Sequence, residues 1–162
     1  MKKVFVLLTL VISIVSCSTS NNDFCECDYM MRDPQVVKND GGLWTFKGET
    51  FSGSLCDMLN GGIVISEHWT IVDGEKTESQ TFFLDGTTVI KESVFEGDNE
   101  TKTEFFLNGK AMEITVYNNS DRVSKEVYWF NGNIRARTNY SDEFENGYEE
   151  KRYNSKGELI ED

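Results

Sequence analysis

Two carboxylates, one imidazole and three thiols are the side chains with most chemistry to offer in the body of this 162-residue chain. Glu67 and Glu92 each stand six residues after a glycine, Gly61 and Gly86, that closes an Asn-Gly or Asp-Gly pair. Equal offsets predict that both project on one face, where a carboxylate pair could run acid–base chemistry on a glycosidic bond or hold a cation. Thr115 and Thr138 occupy the same offset in the next two units, so the stripe of acids stops after two, and solvated carboxylates are the expectation. His68 is the sole histidine, and any hydrolytic triad would have to be built on it. Its place in a mixed strand, facing away from the apolar side, predicts a partly exposed residue and no catalyst. The chain contains no nucleophile elbow, phosphate-cradling glycine loop or His-Glu-x-x-His. Cys25 and Cys27 sit too close in sequence to pair comfortably, so a bond from either to Cys56 is expected. A metal site using His68 as a further ligand has no recognised spacing, and no metal or cofactor is expected.

The N-terminus carries a different signal. Lys2 and Lys3 precede Val4 to Val15, a run apolar apart from Thr9 and Ser13. Twelve helical residues reach about 18 Å, short of the roughly 30 Å hydrocarbon core, which predicts a signal sequence and no membrane span. The run ends in Ile14-Val15-Ser16-Cys17, which resembles the bacterial lipobox. The resemblance implies removal of residues 1–16 and acylation of Cys17, leaving the protein exported and attached to the cell envelope through lipid. Ser18 follows in place of the aspartate that retains some lipoproteins in the inner membrane, which favours the outer membrane. Residues 17–40 are expected to form a polar tether and 41–162 the folded domain.

The chain has 28 acidic and 16 basic residues. Removal of 1–16 takes Lys2 and Lys3 and leaves every acid, so the net charge moves from −12 to −14. Nucleic-acid binding needs a basic face that displaces counterions, and this composition argues against it.

A repeat organises the rest. Met58-Leu59-Asn60-Gly61, Phe82-Phe83-Leu84-Asp85-Gly86, Phe105-Phe106-Leu107-Asn108-Gly109 and Tyr128-Trp129-Phe130-Asn131-Gly132 say nearly the same thing, and Tyr153 to Gly157 closes the series in worn form. Asn-Gly and Asp-Gly predict two-residue type I′ hairpin turns. That loop would pair the residue three before each glycine with the residue two after it. One face would then be continuously apolar, including Phe83, Phe106 and Trp129, with Phe82, Phe105 and Tyr128 on the other. Looser turns are expected at Asp73-Gly74, 96–99, 118–121 and 145–147. The fold class predicted is all-β: an elongated antiparallel meander of hairpins, each unit burying its apolar face against its neighbours. Most aromatic residues fit such a sheet's core, but any of Phe82, Phe105 and Tyr128 left exposed would mark a binding surface.

The motif of paired aromatics, Asn-Gly and an aromatic eight residues on resembles the MORN-repeat-variant family, often described as antitoxin-like. Leu43 to Gly53, with its Trp-Thr-Phe-Lys-Gly core, is similar to the opening unit of such arrays. The resemblance covers about residues 43 to 160. It implies the hairpin sheet, and it suggests an antitoxin or immunity role as an alternative to the main expectation. That expectation is a non-enzymatic, membrane-anchored module that binds a protein partner; a glycan-binding or carbohydrate-active protein is the further alternative. Cys17→Ser is expected to abolish palmitate labelling and shift the chain from the membrane fraction to the soluble one. Unchanged labelling would remove Cys17 as the anchor.

Overall fold

A computed structural model describes residues 27–59 and 64–160. Four short strands come first: β1 (Tyr29–Met30), β2 (Val36–Lys38), β3 (Trp44–Phe46) and β4 (Glu49–Thr50). The long strands follow: β5 (Gly53–Leu59), β6 (Val64–Val72), β7 (Glu75–Phe82), β8 (Val89–Glu96) and β9 (Asn99–Phe105). The series continues with β10 (Ala111–Asn118), β11 (Asp121–Tyr128), β12 (Ile134–Tyr140), β13 (Tyr148–Tyr153) and β14 (Leu159–Ile160). No helix occurs among the described residues. Strands β5 to β14 pair in sequence order as an antiparallel meander, and β1 joins β5 in parallel to complete an 11-stranded sheet. Strands β2, β3 and β4 form a second, three-stranded sheet.

The hydrophobic core occupies one end. Val36, Phe51, Leu55 and Ile71 are buried together, with Tyr29, Met31, Trp44, Phe46 and Trp69 packed around them. The small sheet therefore covers β5 and β6. Past Ile71, no hydrophobic residue among those described is fully buried, and the buried side chains are Ser93, Thr115 and Thr138. From β7 onward the described residues form a single layer of sheet.

Gly74 joins the two sheets backbone to backbone. Its N–H donates to the Phe51 carbonyl (2.8 Å) and its carbonyl accepts from Trp44 N–H (2.8 Å). A Cβ there would lie 3.0 Å from Leu43 Cβ and 3.1 Å from Trp44 O, and φ is +82°. Only glycine fits such an approach.

The domain begins earlier than residue 41. Cys27 is bonded to Cys56 with Cα atoms 5.9 Å apart. Asp28 accepts from Ser54 N (2.7 Å) and Ser54 Oγ (3.0 Å). Val36 belongs to the core. A segment that reads as polar because its apolar residues are sparse is thus held by one covalent bond and a few well-placed contacts. Cys25 and Cys17 lie outside the described residues.

The turn assignment is reversed. At Asn108-Gly109 and Asn131-Gly132 the loops have three residues. Phe106 N–H donates to Lys110 O (2.9 Å) and Trp129 N–H to Asn133 O (2.8 Å). Only the glycines take positive φ, +78° and +96°. The Asn side chains explain this, since Asn108 Oδ1 accepts from Lys110 N (3.1 Å) and Asn131 Oδ1 from Asn133 N (3.0 Å). Each stabilises a right-handed turn ending in a glycine bulge, the three-residue hairpin. Asp85-Gly86 closes a loop one residue longer, with Phe83 N–H donating to Thr88 O (2.8 Å). The turn at Asn60-Gly61 lies outside the described residues. The two-residue type I′ turns occur at the opposite edge: φ is +50° and +82° at Asp73-Gly74, and +49° and +72° at Asn119-Ser120.

Removing the disulfide by Cys27→Ser is expected to lower unfolding stability by about 3–4 kcal/mol, the loop-closure value for a separation of 29 residues. Urea melts of the variant and of the reduced wild type would measure it, and equal midpoints for oxidised and reduced protein would refute it. Gly74→Ala should cost at least about 1 kcal/mol, through the positive φ and the contact with Trp44 O.

Candidate functional site

Strand pairing fixes which side chains share a face, because cross-strand partners point the same way. One face carries Trp69, Phe95, Tyr117 and Tyr140 on alternate strands β6, β8, β10 and β12. Between them stand Lys76, Glu100 and Arg122. Lys76 Nζ lies 4.8 Å from the Trp69 ring centre and 4.4 Å from that of Phe95. Burial between the rings holds its pKa below the ordinary lysine value, partly offset by Glu100 and Glu67. Arg122 lies 6.0 Å and 5.3 Å from the Tyr117 and Tyr140 rings, and its Nη1 donates to Tyr140 Oη (3.2 Å). Lys76 thus stands between two rings and Arg122 between two more, each cation covering part of the ring faces beside it, while Glu100 separates Phe95 from Tyr117.

Much of the rest of this stacked face is paired internally. Ser93 Oγ donates to Glu100 (2.7 Å), Thr115 to Glu113 (3.2 Å) and Thr138 to Glu150 (3.3 Å). Lys102 pairs with Glu104 (2.8 Å), Lys125 with Glu113 (2.7 Å) and Arg152 with Glu150 (2.5 Å).

The other face differs. Phe82, Phe105 and Tyr128 end β7, β9 and β11, and pair with Val89, Ala111 and Ile134. Met58 and Ile65 extend the row onto β5 and β6. The three sequence-predicted surface residues thus lie on one side, as the middle of an apolar band crossing eight strands. Except for the buried Ile65, all are half-buried. Tyr128 Oη donates to Glu126, and burial together with that bond pushes its pKa up to about 12. The phenol therefore stays neutral and hydrogen-bonded across the physiological range.

Beside the band the sheet turns acidic. Over the paired positions of β6 to β13 this face carries seven acids against two bases, Arg137 and Lys151, and the stacked face five against six. Arg137 and Lys151 are each committed to a neighbour, Glu126 (2.7 Å) and Glu149 (3.7 Å). On the band's other flank, at the Asn-Gly edge, Leu84, Leu107 and Phe130 are 68%, 66% and 63% exposed.

Several expectations are corrected. Glu67 and Glu92 point to opposite faces, since Glu67 pairs with Thr81 while Glu92 pairs with Gln80, which donates to it (2.9 Å). The longer loop at Asp85-Gly86 and a bulge between Thr81 and Phe82 shift the register, so no carboxylate pair forms. The continuous apolar face is broken for the same reason. Phe106 and Trp129 lie on the stacked face, while Ala111 and Ile134 lie on the band face. His68 is half-buried opposite Trp69, between Cys56 and Gln80. Among the described residues no three His, Cys, Asp or Glu side chains gather as a metal site would require. Reasoning from sequence missed Val89 and put Ala111 and Ile134, two residues after their glycines, on the face of Phe106 and Trp129 instead of beside Phe105 and Tyr128.

No family model matches the chain. No curated protein matches it either. Among solved structures it is similar to a mutant of S. aureus TarM in complex with Fondaparinux, alpha-GlcNAc-glycerol and UDP, at TM-score 0.40 and 16% identity over 54% of this chain. A second crystal structure of TarM gives 0.39, again at 16% identity over 54%. Both alignments take in 18% of the TarM chain. Similarity of this degree carries no argument about activity.

Burial holds the His68 pKa below its ordinary value, with Asp28 opposing. Between that lowered value and about 6.5 the unfolded chain binds the extra proton, so stability is full above pH 6.5 and falls on acidification. His68→Gln should flatten this part of a stability–pH profile measured by urea melts at pH 5–8. An imidazole resonance titrating at or above about pH 6.5 would contradict it.

Proposed function

We propose that this chain is an exported, lipid-anchored binding protein that docks a protein partner on its band face. The observation carrying the proposal is the half-covered apolar band on a single-layer sheet. A sheet ordinarily buries its apolar face against a second layer, and β7 to β12 have none on this side among the described residues. The stacked face supports the same choice by contrast, since most of its charges pair with one another and Lys76 and Arg122 cover its rings. That contrast also weighs against glycan binding on the aromatic stripe, because sugars stack on free ring faces. The anchor, from the lipobox-like segment ending at Cys17, would hold the sheet near a membrane surface where the partner resides.

The test places a photocrosslinking amino acid at Phe105 on the band, or at Lys91 on the stacked face, in living cells. A discrete adduct from position 105 and none from 91 is expected, lost on adding Leu107→Asp. Equal adducts from both positions, or none from either, would overturn the proposal. Deletion that sensitises cells to toxic factors from their neighbours would instead favour the immunity-like reading.

A further inference from the structure

We infer that the band face receives a cationic amphipathic helix, an inference that rests on the partner-docking reading above and specifies the partner's chemistry. Three features of the surface converge on that occupant.

The first is backbone economy. A peptide laid flat on a sheet face finds no free main-chain donors or acceptors there, so an extended segment would bury its own peptide groups unpaired. A helix arrives with those bonds made internally and can serve as the missing layer. The second is shape. The band is one residue pair wide and crosses eight strands, from Met58 on β5 to Ile134 on β12. Seven strand spacings of about 4.8 Å give about 34 Å, the length of about 22 helical residues. A long, narrow apolar track suits the single stripe of an amphipathic helix.

Charge is the third, and it sets polarity. Across the sheet the surface runs from the exposed apolar tips Leu84 and Leu107, through the band, to carboxylates; Phe130, at the same edge, turns its ring onto Phe106 of the stacked face (5.3 Å between centroids). Glu92 and Glu126 lie nearest the band, and Glu78, Glu96 and Asp121 stand farther along the same strands. Glu78, Glu96 and Asp121 make no ion pair among the described residues. Arg137 and Lys151 sit toward the β13 end, so the negative field is strongest over β7 to β11. The fitting helix therefore carries its basic residues along one flank, facing away from the Asn-Gly edge. An anionic lipid surface is excluded by the same field.

The probe is a fluorescent 22-residue Leu/Lys amphipathic helix, titrated against the full-length protein in zwitterionic nanodiscs, with empty discs as background. A Leu/Glu helix and a scrambled Leu/Lys peptide of the same composition serve as controls. Incorporation into discs is scored first, so failure of the anchor is seen separately. The Leu/Lys helix should bind, the scrambled peptide at least ten-fold more weakly and the Leu/Glu helix not at all. Glu78→Gln, Glu92→Gln and Asp121→Asn combined should weaken binding at least ten-fold, and Asp98→Asn, Glu143→Gln and Glu145→Gln combined, at the far edge, less than two-fold. Leu107→Asp at an exposed tip should weaken it without lowering the melting temperature. Equal losses from both acid triples would reduce the effect to diffuse attraction and overturn the inference. A Leu/Glu helix that binds and is displaced by Leu107→Asp would keep the docking reading and discard the cationic partner. No binding by any helix would also discard it.

Discussion

A one-layer sheet cannot bury a side chain under a second layer, so each residue must be covered by its neighbours within the sheet. Nearly every feature of β7 to β13 answers that constraint. Long side chains lie over adjacent strands: Lys76 between Trp69 and Phe95, Arg122 between Tyr117 and Tyr140, Arg135 over Trp129 at 4.9 Å. Small residues sit in the next row, and the buried Ser93, Thr115 and Thr138 stand directly across from the long side chains of Lys102, Lys125 and Glu150. An exposed ion pair contributes about 0–1 kcal/mol, so the ladder of Lys and Glu matters less for its charge than for the methylene stems it spreads across the sheet. Polar residues here do part of what a core does elsewhere.

The two ends are handled differently. The first hairpin receives the small sheet, the hydrophobic cluster and the disulfide. The last edge is β14, two residues long, and short edge strands limit pairing with other chains. Between them each hairpin touches mainly the next, an arrangement in which stability is close to a sum over neighbours. The well-packed first unit supplies a fixed template against which the later, weaker hairpins add.

The all-β meander was legible in sequence because the glycine period needs no knowledge of side-chain direction. Alternation was harder. A three-residue loop moves the register by one, and a bulge after the turn, as between Ala111 and Glu113, moves it again. The two slips cancel by Tyr117 and Tyr140, which share a face with Phe106 and Trp129 as alternation predicts, while Ala111 and Ile134 beside the turn do not. At Asp85-Gly86 the extra loop residue is not cancelled, and Glu92 and Val94 change face. Asn-Gly alone cannot separate the loop types, because Asn either adopts positive φ or folds its side chain back on the next amide; the structure takes the second course. The segment before residue 41 reads as a tether because a disulfide and a single Asp28 oxygen accepting twice from Ser54 leave no periodicity to read.

The position of the Cys27–Cys56 bond has a mechanical meaning. Cys56 sits in the middle of β5, the first strand of the long sheet, and Cys27 precedes every described strand. Tension arriving from the N-terminal side therefore passes through sulfur directly into the meander. The loop from 28 to 55, with β1 to β4 and the core-forming Val36 and Phe51, lies outside the line of force. Pulled from that end, the molecule would keep β1 to β4 slack while the long sheet took the strain.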